Sequence, residues 1–472
     1  GNYEMPNVQR NYGGFDYSNY LKTLEIYGTI NAENIEILKH NNLDRISIKI
    51  NEYRQNIKDK ISNTLDSKVW PIYFSLILAD SSYIEKDIRD DFANCSLSHI
   101  LAVSGMHISY IIIGVSVLLN KILGKRCGRI VTIILLILYT VLTGFTPSLA
   151  RAIIMGIMTI ISNLIYRRND TWNFLFFSLF CILIYNPYLI TNIGLQYSYI
   201  ATIGIIIFNK HILKILNKRS NKLKKIKESI SVLISAQIAL FPLIIFHTNK
   251  FGIYFIITNL IVGFIIGPII ILGFIFLIVS ILNFYFSKFL SPVVNFLIKT
   301  ILFFSGIGKF PLAKIYVKTP SIWEIMIYYI FVFIISFLYK VKNDKTPNNS
   351  FLRVRWILAY IKYKYKIKKI LTIYLITSIV LTSAFVFVNP RKLEINIVDV
   401  SQGDACFIIT PQNKTILIDG GGSKGESFDV GKSTLLPYIL DKGYTSIDYI
   451  FISHFDSDHV RRNFIYYGRN IS

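Results

Sequence analysis

A cluster of metal-ligand residue types lies near the carboxyl end of the sequence, in the run His454-Phe455-Asp456-Ser457-Asp458-His459. Imidazole nitrogens and carboxylate oxygens bind divalent metals well, and four such side chains fall within six residues. The run follows residues 447–452, an apolar stretch that predicts a buried strand. The pattern therefore predicts a metal-binding loop at the end of a strand; a solvated polar loop is the plainer alternative.

A second polar stretch, residues 98–109, opens an apolar segment. The residues here that could line a polar path are His99, Ser104, Gly105 and His107. On one continuous helix, a stripe of small residues would form from Ser98, Ala102, Gly105 and Ser109. Such a stripe lets a neighbouring helix approach closely, whereas the two histidines need polar partners or water. The stretch predicts either contacts between helices or the lining of a polar passage.

An arginine inside an apolar segment marks a third position. Thr146 and Pro147 predict the start of a helix, with Arg151 about one turn further on. A membrane-embedded arginine is costly and rarely lacks a role. Its guanidinium either reaches the membrane interface or binds an anion in a hydrated cavity. Gln196 places a polar group in another segment, where a hydrogen bond between helices is the plainer role and the same polar path is the alternative.

Hydropathy predicts ten transmembrane helices, each of which needs about 20 mostly apolar residues. The ten segments are residues 99–121, 129–145, 147–166, 171–186, 194–209, 229–247, 253–284, 292–308, 321–340 and 370–388. Gly267-Pro268 predicts a break or kink in the seventh segment. Residues 1–97 are mixed, with a strand-like run at 21–30, and residues 393–472 show the alternation typical of strands.

Composition and charge agree with a multi-pass membrane protein. Hydrophobic residues make up 53% of the chain and charged residues 17%, against about 25% charged in soluble domains. The net charge is +23, and basic residues gather in the loops 121–129, 167–168, 210–227 and 340–369. Ten spans put these loops on one side, which the positive-inside rule assigns to the cytoplasm. We therefore expect both termini outside the cytoplasm; binding of nucleic acid or anionic lipid is the alternative role of the loops.

Residue spacing excludes two other kinds of site. The four cysteines form no CxxC pair, so neither a zinc ribbon nor a disulfide framework is indicated. Gly431-Lys432-Ser433-Thr434 lacks the first glycine of a phosphate-binding loop, because Glu426 stands at that position. We expect no ATPase site.

The two intramembrane runs resemble signature segments of the bacterial competence DNA-uptake channel family (ComEC). They are LSHILAVSGMHIS at residues 97–109 and LTGFTPSLARAIIM at residues 142–155. The likeness continues through Gly194-Leu195-Gln196-Tyr197-Ser198 and Pro242. Gly13-Gly14-Phe15-Asp16-Tyr17 is similar to the end of that family's extracytoplasmic OB-like domain.

The resemblance implies a polytopic helical protein of the bacterial cytoplasmic membrane that passes one strand of incoming DNA. It places His99, Ser104, Gly105, His107, Arg151 and Gln196 along the DNA path. The partners that it implies are single-stranded DNA, membrane lipids, a DNA receptor and a cytoplasmic motor protein, with a homo-oligomer left open.

The last segment resembles the metallo-β-lactamase αββα fold, whose HxHxDH motif is here HxDxDH. The resemblance implies a metal-dependent nuclease-type domain with Mn²⁺ or Zn²⁺, in which two ions could clamp a phosphodiester. Its ligands would be His454, Asp456, Asp458 and His459, with Asp458 also catalytic and with Asp404 and Asp419 in supporting loops. The thirteen residues after His459 contain no histidine. We therefore expect half of a metal site here, and no tight metal binding by this chain alone.

Four domains are predicted. Residues 1–68 are the end of the OB-like domain with a linker, and residues 69–345 are the transmembrane competence domain. Residues 346–392 are a basic loop with the last transmembrane helix, and residues 393–472 are the partial metallo-β-lactamase-like domain. Two other functions remain open: a membrane-tethered metallohydrolase, and a transporter of a small anion or lipid-linked substrate.

Overall fold

The computed structural model describes residues 2–32, 36, 44–217, 223–310, 313–343, 369, 392–400, 403–422 and 430–453. The chain divides into two compact units. The first comprises residues 1–8, 16–202 and 250–315, and the second comprises residues 9–15, 203–249 and 316–472.

Helices make up most of the described chain. They are α1 Tyr17–Thr23, α2 Asp44–Ser62, α3 Trp70–Leu78, α4 Lys86–Asn94, α5 Ser98–Leu101, α6 Gly105–Thr143, α7 Pro147–Leu164, α8 Thr171–Tyr185, α9 Ile193–Asn217, α10 Lys224–Thr248, α11 Phe255–Leu282, α12 Phe284–Ser305, α13 Ile322–Asn343 and α14 Leu436–Asp441. A 3-10 turn, Pro187–Thr191, joins α8 to α9.

Two short two-stranded sheets accompany the helices. In the first, β1 Asn2–Glu4 pairs antiparallel with β2 Thr29–Asn31, and in the second β3 Lys250–Gly252 neighbours β4 Lys314–Tyr316. The predicted strand at 21–30 is wrong over its first residues, because α1 extends to Thr23. The Asp16 carboxylate accepts a hydrogen bond from the backbone N–H of Asn19 and so starts that helix. The OB-like assignment of residues 1–68 stays a prediction.

Six helical stretches are long and apolar enough to cross a membrane, counted over the residues that the structure describes. They are Gly105–Thr143, Pro147–Leu164, Ile193–Asn217, Lys224–Thr248, Phe255–Leu282 and Tyr285–Lys309. Two shorter apolar helices, Thr171–Tyr185 and Ile322–Ser336, fall on further predicted segments. The last predicted span, 370–388, lies outside the described residues, so the count of ten stays a prediction. Gly267-Pro268 does not break α11, which is continuous.

The first two predicted spans are the two halves of α6. Gly124 has φ +78° and ψ +161°, which interrupts the helix. Ser116 and Thr132 are eight residues to either side of Gly124, and their hydroxyl oxygens lie 3.4 Å apart. In a straight helix these residues would be about 24 Å apart, so the chain turns back at Gly124 and the two halves run side by side.

A short buried helix, α3, joins the core of the first unit and has no counterpart among the predicted spans. Its residues from Pro71 to Leu78 are all buried. The Tyr73 hydroxyl donates to the backbone oxygen of Gly273 in α11 at 2.7 Å, and the Tyr73 ring lies edge-on to Phe276. A Cβ atom on Gly273 would lie 2.7 Å from Ile77 Cδ1. Glycine therefore lets α3 and α11 approach closely.

In the second unit, a proline inside α10 determines a contact with α13. Pro242 has no backbone N–H, so the Ile238 carbonyl oxygen four residues earlier has no partner in the helix ladder. The Tyr328 hydroxyl of α13 donates to that oxygen at 2.8 Å. The adjacent Tyr329 hydroxyl donates to the Ala239 oxygen, also at 2.8 Å. The tyrosine pair replaces the hydrogen bond that proline removes.

The carboxyl-terminal part of the second unit contains a four-stranded sheet. Its strands are β5 Glu394–Ile397, β6 Cys406–Ile409, β7 Thr415–Ile418 and β8 Tyr449–Phe451, in the spatial order β5-β6-β7-β8. The first two pairings are antiparallel and the β7–β8 pairing is parallel. The predicted strands in this segment are therefore present. We call residues 392–453 the carboxyl-terminal domain.

Helix α14 covers one face of this sheet and provides the crossover that the parallel pairing requires. Leu435, Ile439 and Leu440 form one buried core with Phe407 and Leu417. The rejected phosphate-loop sequence is part of this element: Gly431–Leu435 is a π-helical turn that continues directly into α14.

A carboxylate also ties β7 to β8. The Asp448 side chain accepts hydrogen bonds from the Lys414 ammonium and the Thr415 backbone N–H, each at 2.9 Å. These two contacts hold the pKa of Asp448 at about 2. The residue before β8 is thus fixed to the start of β7, which supports the parallel register.

The proline-compensation contact yields a double-mutant test. We expect Tyr328→Phe to cost about 1–2 kcal/mol, because the Ile238 oxygen would then be left without a partner. Pro242→Ala restores a backbone N–H to that oxygen, so Tyr328→Phe should cost much less in a Pro242→Ala background. Thermal unfolding of the purified protein in detergent measures both costs. Equal costs in the two backgrounds would contradict the explanation.

Candidate functional site

Arg151 lies in a polar niche between α7 and α9. Helix α7 begins at Pro147 as predicted, although Thr146 makes no side-chain cap bond. The Arg151 side chain is 8% exposed. Its Nε donates to Ser198 Oγ at 2.6 Å and its Nη1 donates to Thr202 Oγ1 at 2.8 Å. Because Ser198 and Thr202 are four residues apart on α9, they lie on one face of that helix.

The groups around Arg151 are neutral. Its guanidinium lies 5.8 Å from the centroid of the Tyr199 ring, and its Nη1 lies 3.6 Å from Met155 Sδ. Among the ion pairs of the described residues, none includes Arg151. A buried cation without a counter-ion is costly. The niche can therefore be stabilised by an anion that approaches the guanidinium.

Gly105 leaves room for this guanidinium. A Cβ atom on Gly105 would lie 3.1 Å from Arg151 Nη2 and 3.8 Å from the Ala152 Cβ. The structure thus brings together two of the predicted path residues, Gly105 and Arg151, from helices α6 and α7. Gly105, the first residue of α6 and one without a side chain, faces the arginine.

The predicted stripe of small residues does not exist on one helix. Helix α5 ends at Leu101, and Ala102 and Ser104 have extended backbone angles before α6 begins at Gly105. The break changes which residues share a face. Gly105 contacts the arginine niche, but Ser98 and Ala102 are not on the same helix and do not share its face. The prediction of one continuous helix from 98 to 109 is therefore wrong.

The His107 side chain caps the start of α6 from a position within the first turn of the helix. Its Nδ1 accepts a hydrogen bond from the Ser104 backbone N–H at 3.2 Å and lies 2.9 Å from Ser104 Oγ. Since Nδ1 accepts, the proton of the neutral ring is on Nε2. The side chain is fully buried, and Nε2 has no hydrogen-bond partner among the described residues. This orphaned donor marks a place where a water or ligand atom fits.

The other two path candidates have different surroundings. His99 is exposed on α5. Gln196 Nε2 donates to the backbone oxygen of Ile190 in the 3-10 turn at 3.0 Å, which is a local structural contact. The role of both residues on the path stays a prediction.

Sequence reasoning missed the residues that hold the arginine. Ser198, Tyr199 and Thr202 surround its guanidinium, yet only Ser198 was noted, as part of a family-like run. The signal was present as two hydroxyl residues four positions apart in an apolar segment. Such a pair presents both hydroxyls to one neighbouring helix. A helix that carries an arginine without a counter-ion is the natural neighbour for two such hydroxyls.

The metal motif itself lies outside the described residues, which end at Ser453 in this region. The adjoining support is described: the Asp419 carboxylate is buried and accepts from the Ser453 N–H at 2.8 Å and the Ser453 hydroxyl at 2.7 Å. The backbone oxygen of Asp404 accepts from the Gly421 N–H at 3.0 Å. Asp419 thus holds Ser453, the residue directly before His454, through two hydrogen bonds. Among the described residues, no cluster of three His, Cys, Asp or Glu side chains could hold a metal ion.

Comparison with known proteins agrees with both regions. Residues 76–342 match the Competence protein family, and residues 400–465 match the Metallo-beta-lactamase superfamily. ComE operon protein 3 of Bacillus subtilis (strain 168) is 23% identical over 481 residues, an alignment that includes 98% of this chain. The chain spans 57% of the length of that relative. No solved structure matches the chain.

The family match extends over more than half of the chain and includes both Gly105 and Arg151. It also includes the long apolar helices from α6 to α12, which identify a helical membrane protein. The chain belongs to the Competence protein family.

Proposed function

We propose that this protein carries incoming single-stranded DNA across the bacterial cytoplasmic membrane during natural transformation, along a path that passes the Arg151 niche. The observation that carries the proposal is a buried guanidinium with neutral partners only. A DNA phosphate supplies the missing negative charge, and arginine binds phosphate through two parallel N–H bonds. Membership of the Competence protein family and the alignment with ComE operon protein 3 support a role in competence.

Ser198 and Thr202 accept hydrogen bonds from Nε and Nη1 and so hold the guanidinium in place. Nη2 lies against Gly105 at the start of α6. In the proposed contact, a phosphate would bind Nη2 from that side and would form its second bond by replacing Met155 Sδ at Nη1. Neutral hydroxyls orient the guanidinium without cancelling its charge, which suits transient contacts with a moving polyanion.

The proposed orientation puts both termini outside the cytoplasm. It follows from the basic loops at 121–129, 167–168, 210–227 and 340–369. The proposed partners are a DNA receptor outside and a motor protein inside. The energy for transport would come from such a partner, from the membrane potential or from capture of DNA on the inside.

We also propose that the carboxyl-terminal domain is a metal-dependent nuclease-type domain. The proposed ligands are His454, Asp456, Asp458 and His459, and the bound metal ions would polarise a phosphodiester and activate water. The observation that favours it is the Asp419–Ser453 contact, which fixes the start of the ligand loop. A membrane-tethered hydrolase without transport and a small-anion transporter are the competing functions.

The first prediction concerns charge at the niche. Arg151→Ala should reduce DNA entry at least tenfold with the protein still in the membrane, because the phosphate loses its partner. Arg151→Lys should recover part of the activity, since charge returns without the bidentate geometry. Transformation frequency in a host that depends on this protein, normalised to membrane abundance, is the measurement. Arg129→Ala is the matched control, because Arg129 donates to the Asn163 backbone oxygen at an exposed position. Normal transformation by Arg151→Ala would reject the proposed path.

The second prediction concerns space beside the guanidinium. Gly105→Leu should lower DNA entry, because the added side chain would begin 3.1 Å from Arg151 Nη2 and displace it. Gly114→Leu on the same helix is the control, since a Cβ atom there has no heavy atom within 4 Å. Equal effects of the two substitutions on transformation would show that the approach of Gly105 to Arg151 is irrelevant.

The third prediction concerns the nuclease-type domain. In a chain that carries the complete domain, Mn²⁺ should support DNA cleavage, a chelator should stop it, and Asp458→Ala should abolish it. Asp419→Asn should weaken cleavage by loosening the loop at Ser453. Glu394→Gln, on the strand at the opposite sheet edge, should have no effect. Cleavage of labelled DNA by the purified protein is the assay, and full activity of Asp458→Ala would refute the ligand assignment.

A further inference from the structure

Residues 9–15, which we call the strap, lie against the carboxyl-terminal domain although almost four hundred positions separate them in sequence. The strap falls in the same compact unit as that domain. Neither family match includes it, since they extend over residues 76–342 and 400–465. The two family matches therefore assign no role to its contacts.

Asn11 makes the central contact. The Val398 N–H donates to the Ala405 oxygen, which directs Val398 toward β6. The backbone groups of the next residue, Asp399, then turn to the outer edge of the sheet. Asn11 meets both of them: its Nδ2 donates to the Asp399 oxygen at 2.6 Å, and its Oδ1 accepts from the Asp399 N–H at 3.0 Å. The Asn11 amide thus makes the two hydrogen bonds that the backbone of a neighbouring strand would make at this edge of the sheet.

Gly13 lets the strap approach α14. Its φ is +66°, in the left-handed region that favours glycine. A Cβ atom on Gly13 would lie 2.9 Å from the Pro437 oxygen and 3.0 Å from the Asp441 Cβ. Both the backbone conformation and the distance to α14 therefore require a residue without a side chain.

Exposed side chains extend the contact without dominating it. Arg10 Nη1 lies 3.5 Å from Asp399 Oδ2, with both side chains almost half exposed, so this ion pair adds little free energy. The Tyr12 ring centroid lies 6.3 Å from the Tyr438 ring centroid, and Lys442 Nζ lies 5.2 Å from the centroid of the Tyr12 ring. The two hydrogen bonds of Asn11 at the sheet edge and the close approach of Gly13 to α14 carry the interaction.

We infer that the strap is a structural part of the carboxyl-terminal domain and closes the outer edge of its sheet beside β5. A direct contact also requires residues 9–15 and residues 399–442 to be on the same side of the membrane. This follows from the contact alone and does not depend on DNA transport or on which side is outside.

Hydrogen–deuterium exchange on the full chain in detergent or nanodiscs tests the contact. Asn11→Leu should accelerate exchange of the Asp399 amide by about tenfold, because its acceptor is lost. Gly13→Val should accelerate exchange in the α14 segment as well. Gln9→Leu is the matched control, since the described Gln9 hydrogen bond goes to Asn11 within the strap. Unchanged Asp399 exchange in Asn11→Leu would overturn the inference.

Crosslinking keeps the inference testable if the strap variants fail to accumulate. In a chain whose four native cysteines are replaced, Arg10→Cys with Asp399→Cys should form an efficient bismaleimide crosslink in intact membranes, because this pair lies at the contact and leaves Asn11 in place. Arg10→Cys with Asn413→Cys is the control, because the turn at Asn413 adjoins the other end of the β5–β6 pair. No crosslink for the first pair, or equal yields for the two pairs, would show that the strap does not bind this edge.

Discussion

A polar group between apolar helices must find its partner within the protein, because a hydrocarbon environment supplies none. This constraint explains several otherwise unrelated contacts. Pro242 leaves the Ile238 carbonyl without a donor, and the Tyr328 hydroxyl supplies one. The break before α6 leaves the Ser104 N–H without an acceptor, and His107 Nδ1 supplies one. In each case a side chain replaces a missing backbone partner, and two elements become fixed to each other.

Arg151 obeys the same constraint only in part. Its hydrogen bonds to Ser198 and Thr202 are made, but hydroxyl groups do not neutralise a positive charge. A carboxylate in the niche would have removed the cost of burying the cation and, with it, the attraction for a phosphate. This difference in charge separates the helix–helix contacts, whose neutral groups have partners, from the Arg151 niche, where we propose that a phosphate binds. The orphaned His107 Nε2, also near the start of α6, is a second unfinished polar group.

Hydropathy and strand alternation predicted the helices from α6 to α13 and the strands of the carboxyl-terminal sheet, because both depend on local patterns of apolar residues. The break at 102–104 was not predictable from spacing, since small residues at helical intervals do not reveal backbone angles. Helix α3 was missed because nine apolar residues are too few for a span, and its burial depends on packing within the core of the first unit, including the close approach to Gly273. Arg151 was recognised because a charged side chain in an apolar segment carries a large free-energy cost. Its partners Ser198 and Thr202 come from another helix, and which face of that helix meets Arg151 depends on tertiary structure.

Strand order explains how the carboxyl-terminal domain can be held without obstructing its candidate site. Because β7 and β8 are parallel, their carboxyl ends lie side by side, which brings Asp419 to Ser453. The strap binds beside β5, at the other end of the order β5-β6-β7-β8. Three strand spacings separate the two edges, or about 14 Å. The strap and the Asp419–Ser453 contact thus lie at opposite edges of the sheet, so the strap can stabilise one edge without altering the other.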